Sequence, residues 1–163
     1  MDDTGARLRN HWVSHIARHA HAKPREVYLR FEGTSVTCVL VGSETYVRPW
    51  VRYEILKSFR RGNSILAVHI NSIRDRYQNY KLLGPNPLTF VGVTFSPSGD
   101  TGTLWERVAS EWKQYTEIDG TASYRTGGVG QQYCGRGFNL GQWYPEYDWV
   151  ANNGYNNFAS WVG

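Results

Sequence analysis

The sequence predicts a single α/β domain built on a mostly parallel sheet, with antiparallel structure added toward the C-terminus. A β-branched run, a helical period and a second apolar run follow one another between residues 34 and 71. A length of 163 residues suits one domain that buries a core without a metal or disulfide staple. The 20% of charged residues are spread along the chain and leave 40% hydrophobic residues for that core.

The elements follow in order. In "ARLRNHWVSHIARHA" the residues Leu8, Trp12 and Ile16 repeat every four positions with Val13 beside them, which predicts an amphipathic first helix capped at Asp3 or Thr4. "TSVTCVLVGSET", residues 34 to 45, reads as a central parallel strand buried on both faces and closed by Gly42. Pro49 fits a first helical turn, where a missing N–H costs nothing. Val51, Ile55 and Phe59 then recur every four residues and Gly62 suits the position past the end, so a helix is predicted over 49–61. "SILAVHIN", residues 64 to 71, is a second buried strand, and two parallel strands joined by a helix require a crossover, right-handed by rule.

"NSIRDRYQNYKLLGPNP" reads as loop. "LTFVGVTF" and "GTLWERV" flank "SPSGD" as a hairpin, with "EWKQYTEI" as a third antiparallel strand. Residues 119 to 147 show no clean period, and "YDWVANNGYNNFASWVG" supplies Trp149, Val150, Phe158, Trp161 and Val162 for a docked terminal helix or turn. The domain is thus read as 1–163, with a strand, helix, strand core at 34–71 and an extension over 88–163.

Composition removes several function classes. Cys38 and Cys134 are too few and too far apart for a disulfide framework or a zinc site, and a reduced compartment follows. No stretch approaches the roughly 18 consecutive apolar residues of a membrane helix, and the start lacks a secretory h-region, so a cytoplasmic protein without membrane contact is expected. The net charge of +4 favours anionic partners. Nucleic acid is the weaker of these, since neither the charge nor the 15% aromatic residues cluster in the sequence.

"RPWVRYEILKSFRRGN" places one carboxylate, Glu54, among basic and aromatic side chains. At about 100° per residue Val51, Ile55 and Phe59 form the buried stripe, and Glu54 falls between that stripe and Trp50, one turn earlier. An ordinary helical glutamate would pair with Lys57 at i+3, for about 0.2–0.5 kcal/mol. Place argues for more. The "GSET" loop leaves the carboxyl end of a strand and leads into this helix, where open α/β sheets bind ligands and a helix N-terminus suits a phosphorylated one. Ser43, Glu44 and Thr45 are candidates for hydrogen bonds to a ribose or diphosphate, or simply terminate the strand. Arg48, Arg52, Arg60 and Arg61 could meet phosphates, although charged residues on a helix more often form a solvated face; of the four, Arg52 is the candidate phosphate contact. Asn71, with His69, ends the next strand in the same crevice, although one histidine on a buried strand also reads as a hydrogen-bonded core residue. No metal constellation is visible. The glycine-rich "GGVGQQYCGRG" has neither a preceding buried strand nor a following helix, and is read as a loop.

The run "SVTCVLVGSETYVRPWVRYEILKSFRRGNSILAVHINSIRD", with "GPNP" and the ending "YDWVANNGYNNFASWVG", resembles the TIR-like proteins of the bacterial Thoeris anti-phage system. The likeness covers about residues 8–13, 34–96 and 144–163, and "WVRYE" matches the TIR catalytic-helix motif of an aromatic residue and a glutamate four positions apart. The resemblance implies a flavodoxin-like TIR-type fold with helices on both faces of the sheet. It implies Glu54 as the catalytic carboxylate, with Trp50 beside it, and NAD as substrate without any cofactor. The product is then a cyclic ADP-ribose-type signal that activates a partner effector in antiviral defence.

Two departures from the family pattern bear on that expectation. The usual first strand with its "SFH"-like motif is absent, and "ARHAHAKPREVYLRFEGTS" leaves no room for one further β/α unit. The sheet is then expected to carry an exposed edge, paired by "REVYLRFEG" or covered by a second copy in a homo-oligomer. The alternative reading is a degenerate, non-enzymatic TIR-type module for protein–protein interaction.

Overall fold

The structure, a computed structural model, describes residues 36–163. The first helix and the "REVYLRFEG" segment expected from the sequence lie outside the described residues, as do the positions of the missing strand and unit. Strand β1 (Val36–Val41) leads through a short 3-10 turn at Thr45–Val47 into helix α1 (Pro49–Arg60), and strand β2 (Ser64–His69) follows. β1 and β2 pair in parallel from Val36 opposite Ser64 to Val41 opposite His69, so the predicted strand, helix, strand unit is present. Pro49 opens α1, and Gly62 takes a φ of 80° just past its end, a left-handed conformation that costs glycine little.

Next come strands β3 (Val91–Phe95), β4 (Thr101–Val108), β5 (Glu111–Gln114), β6 (Ser123–Arg125), β7 (Gly137–Asn139) and β8 (Glu146–Asp148), then helix α2 (Gly154–Val162). Two sheets result among the described residues: a parallel one in the order β1-β2-β8, and an antiparallel one in the order β5-β4-β3-β7 with β6 also on β4. The predicted hairpin is β3–β4, and "EWKQYTEI" supplies β5 in its first four residues.

Three expectations are corrected. The sheet is not mostly parallel, because in the described residues the antiparallel sheet is the larger. The C-terminal extension is not purely antiparallel, because β8 returns to pair in parallel with β2. And among the described residues β1 is neither central nor buried on both faces. Within this sheet β2 holds the middle, and Leu40 on β1 is 56% exposed while Val41 is fully buried. A continuous apolar run looks the same in a central strand and in one covered on a single face.

α1 lies between the two sheets. Ile55, Leu56 and Phe59 join Val39, Val41, Ile65 and Ala67 of the parallel sheet and Val91, Val93 and Leu104 of the antiparallel sheet in one core cluster. Burying an aliphatic or phenyl side chain of this size contributes about 1.5–3 kcal/mol, so this helix is what welds the two sheets into one body. The other face of the parallel sheet carries α2. Tyr147 of β8, in register with Val68, stacks on Trp161 at 4.2 Å between ring centroids. Among the described residues the parallel sheet thus has α1 on one face, with the antiparallel sheet beyond it, and α2 on the other.

Candidate functional site

The carboxyl ends of β1, β2 and β8 converge where the "GSET" loop, the "GPNP" loop and the Asp148 turn meet. Gly84 is pressed against the β1 exit so closely that a Cβ on it would collide with the Gly42 carbonyl oxygen. Next to this contact opens a cleft of about 440 Å³, lined by His69, Leu83, Gly84, Pro85, Asn86 and the three residues of β8. Its volume is in the lower part of the range of about 300–1,000 Å³ typical of small-molecule sites.

Inside the cleft one hydrogen-bonded chain runs from loop to strand. Asn86 accepts from the Leu88 N–H with its Oδ1 at 2.9 Å, and its Nδ2 donates to Glu146 Oε2 at 2.9 Å. The other oxygen of Glu146 meets His69 Nε2 at 2.5 Å. His69 is buried, with 6% of its surface exposed, and its Nδ1 has no partner among the described residues. Asp148 accepts from the Val150 and Ala151 N–H groups at 2.9 and 2.8 Å and from Ser72 Oγ at 3.1 Å. The Ala151 N–H first, with Ser72, Val150 and the nearby His69, holds its carboxyl below the ordinary value against a partial burial cost.

The predicted site residues distribute as follows. Glu54 is exposed on α1, and no hydrogen bond or ion pair to it occurs among the described residues. The ordinary partner, Lys57, instead places its ammonium 4.9 Å from the centre of the Tyr53 ring. Trp50 is 78% exposed and meets Tyr53 edge-on at 6.2 Å. Neither Glu54 nor Trp50 lines the cleft.

Thr45 folds the loop back on itself, its Oγ1 accepting from the Gly42 N–H at 2.8 Å and donating to the Leu40 carbonyl at 3.4 Å. Glu44 pairs with Arg48 at 2.6 Å, both exposed, and Ser43 just before them is exposed too. Arg52 donates to Glu106 Oε2 at 2.9 Å and to the Tyr46 carbonyl at 3.2 Å, so its guanidinium ties α1 to β4. Arg60 pairs with Asp119 at 2.9 Å. Asn71 is half-buried, donates weakly to Ser72 Oγ at 3.5 Å, and leaves its Oδ1 without a partner among the described residues.

Sequence reasoning reached His69 and Asn71 at this strand end but missed Asn86, Glu146 and Asp148. Asn86 carried one signal, an N-cap asparagine before a proline in "GPNP". Glu146 and Asp148 carried none, since a three-residue strand is too short to show a period. Among the described residues no group of three or more His, Cys, Asp or Glu side chains could hold a metal ion, and no helix is long and apolar enough to cross a membrane.

A three-stranded parallel sheet with a helix on each face, and a cleft at its strand ends where open α/β sheets bind ligands, defines the class as an α/β domain. Residues 7–75 match the family described as Thoeris protein ThsB, TIR-like domain. A protein of Bacillus cereus (strain MSX-D12) named "Putative cyclic ADP-D-ribose synthase ThsB1" is 38% identical over 173 aligned positions, covering 95% of this chain and 88% of that protein. The chain belongs to the Thoeris ThsB TIR-like family.

Proposed function

We propose that this protein is a TIR-type NAD-consuming enzyme of anti-phage defence, acting in the cytoplasm. It cleaves the bond between nicotinamide and ribose, closes the ADP-ribosyl group into a cyclic signal, and so activates a partner effector. The single observation that carries the assignment of residues is the state of Glu54. Among the described residues it is an exposed carboxylate left without a counter-ion on a helix in which Arg52, Lys57 and Arg60 are all engaged, as are Glu44 and Arg48 just before it. The near-full-length likeness to a protein named for cyclic ADP-ribose synthesis supports the reaction.

The chemistry follows from charge. As nicotinamide departs with the bonding electron pair, the ribose C1 and ring oxygen share a positive charge, and a fixed carboxylate lowers the energy of that state. Trp50, one turn earlier, offers an aromatic wall to the ribose or the leaving ring. The 43–45 loop, Arg52 and Asn71 complete the proposed substrate contacts, Arg52 only by exchanging Glu106 for a phosphate. Electrostatic stabilisation is strong only out of water, so catalysis requires the exposed face of α1 to be covered when NAD binds. In this reading residues 1–163 act as one domain.

Nicotinamide release from NAD by the purified full chain, followed by chromatography, tests the proposal. Glu54→Gln keeps the shape and removes the charge, and is expected to lower release by about 100-fold or more. Equal release by that variant removes Glu54 from the role.

A second reading has its own observation. Val47 at 43%, Leu40 at 56% and Trp50 at 78% exposure put apolar surface around the start of α1, which suits a TIR-type interaction module without turnover. Release indistinguishable from the buffer blank, together with a partner or self-association lost in Trp50→Ala, would favour it.

A further inference from the structure

Residues 72–83 leave the end of β2 at Asn71 and return at Gly84, which packs against Gly42 and Ser43. The loop is thus suspended between two of the proposed substrate contacts. We propose that it binds the adenine and diphosphate half of NAD, with Tyr80 stacking on the base and Arg74 and Arg76 meeting the phosphates. This assignment rests on the reading of the "GSET" loop and Asn71 as substrate contacts, and supplies the residues that hold the far end of the molecule.

The chemistry of the loop matches a flat base with an anionic tail. Tyr77 and Tyr80 are 68% and 62% exposed, and each ring has a guanidinium beside it. Arg74 lies 5.0 Å from the centre of the Tyr80 ring and donates to its hydroxyl at 3.1 Å, and Arg76 lies 4.7 Å from the centre of the Tyr77 ring. A ring backed by a cation on one face keeps the other for a base to stack on. Among the described residues neither Arg74 nor Arg76 pairs with a carboxylate, whereas Arg48, Arg52 and Arg60 each do. A diphosphate therefore displaces no counter-ion at Arg74 and Arg76, while at Arg52 it must displace Glu106.

The loop is also braced before any ligand arrives, so binding does not have to order it. Asp75 accepts from the Tyr77 and Asn79 N–H groups at 2.8 and 3.0 Å and from Lys81 Nζ at 2.8 Å. The Lys81 N–H donates to the Asn71 carbonyl at 3.2 Å, which seats Tyr80 next to a residue tied to the strand end. Tyr80 also precedes Gly84 by only four residues, so its backbone lies within about 14 Å of that glycine however the chain runs, a span that one extended dinucleotide covers.

Calorimetric titration of the full chain with adenosine diphosphate, the half of NAD assigned to the loop, tests the site. Saturable binding is expected. Tyr80→Ala is expected to weaken it about tenfold, and Tyr80→Phe, which keeps the ring, by less than about threefold. Replacing Arg74 and Arg76 together by alanine is expected to weaken it about tenfold as well. In nicotinamide release from NAD, Tyr80→Ala is expected to raise KM about tenfold with kcat within about twofold of the parent, since the lost contact lies away from the bond that breaks. No saturable binding of adenosine diphosphate, equal affinity in Tyr80→Ala, a Tyr80→Phe variant as weak as Tyr80→Ala, or a fall in kcat at unchanged KM would each overturn the proposal. Should the purified chain release no nicotinamide, the catalytic reading of Glu54 fails by itself and the titration still decides the loop. Release of nicotinamide with an affinity for adenosine diphosphate that these variants leave untouched overturns the loop assignment and leaves the catalytic reading standing.

Discussion

Arg52 and Glu54 sit two residues apart on α1 and differ in what their surroundings ask of them. Arg52 is 11% exposed at its side chain and bonds both Glu106 and the Tyr46 carbonyl, so truncating it strands a partly buried carboxylate. Arg52→Ala is expected to cost about 1–3 kcal/mol in urea unfolding, whatever it does to NAD binding. Glu54→Gln, at an exposed position with no bond to lose, is expected to unfold within about 0.5 kcal/mol of the parent. A large loss of stability there would mean that the carboxylate holds the fold. Spacing in "WVRYE" placed both residues on one helix. It could not show that Arg52 already has Glu106, 54 positions away, as its partner.

At the scale of elements, the contact between two loops organises the strand ends. Gly84 has no room for a side chain, because the obstacle is the backbone of Gly42 and Ser43, which cannot rotate away. Gly84→Ala is expected to displace the "GPNP" loop from the β1 exit and to destabilise the fold by about 1–3 kcal/mol, read as a lower unfolding midpoint at unchanged slope. A midpoint equal to the parent's would show that the loop yields freely. The strand, helix, strand unit was legible because each piece spans six residues or more, long enough to show its period. β6, β7 and β8, at three residues each, fell in the stretch that showed none.

For the whole molecule, titrating groups bound the pH range of stability from both sides. Burial, followed by the charges of Glu106 and Glu117, pushes the Tyr115 phenol up to about 12 from an ordinary value of 10.0. A folded pKa above the unfolded one means the contribution is complete below pH 10 and is lost as the pH rises toward the folded value. Tyr124 shifts in the same direction, with burial the first cause. Phenolate absorbance is expected to appear for these two only as the protein unfolds in alkali. Early titration of all tyrosines with the fold intact would contradict it. Asp148 works in the opposite sense. Its folded pKa is below the ordinary 3.8, so its contribution is present above that value and fades as acid drops the pH beneath it. Asp148→Asn is expected to flatten that part of the acid limb, a change that acid titrations of the parent and variant would reveal.

The sequence by itself determined the α/β core, the limits of α1 and the hairpin, and left the ending open between helix and turn, because these follow from local periods and from proline and glycine chemistry. It also carried the family likeness. Tertiary structure alone decided that β8 completes the parallel sheet, that α1 is wedged between two sheets, and that His69, Asn86 and Glu146 meet in one cleft. Those contacts join positions 60 and 77 residues apart, and no local pattern encodes a hydrogen bond over such a separation.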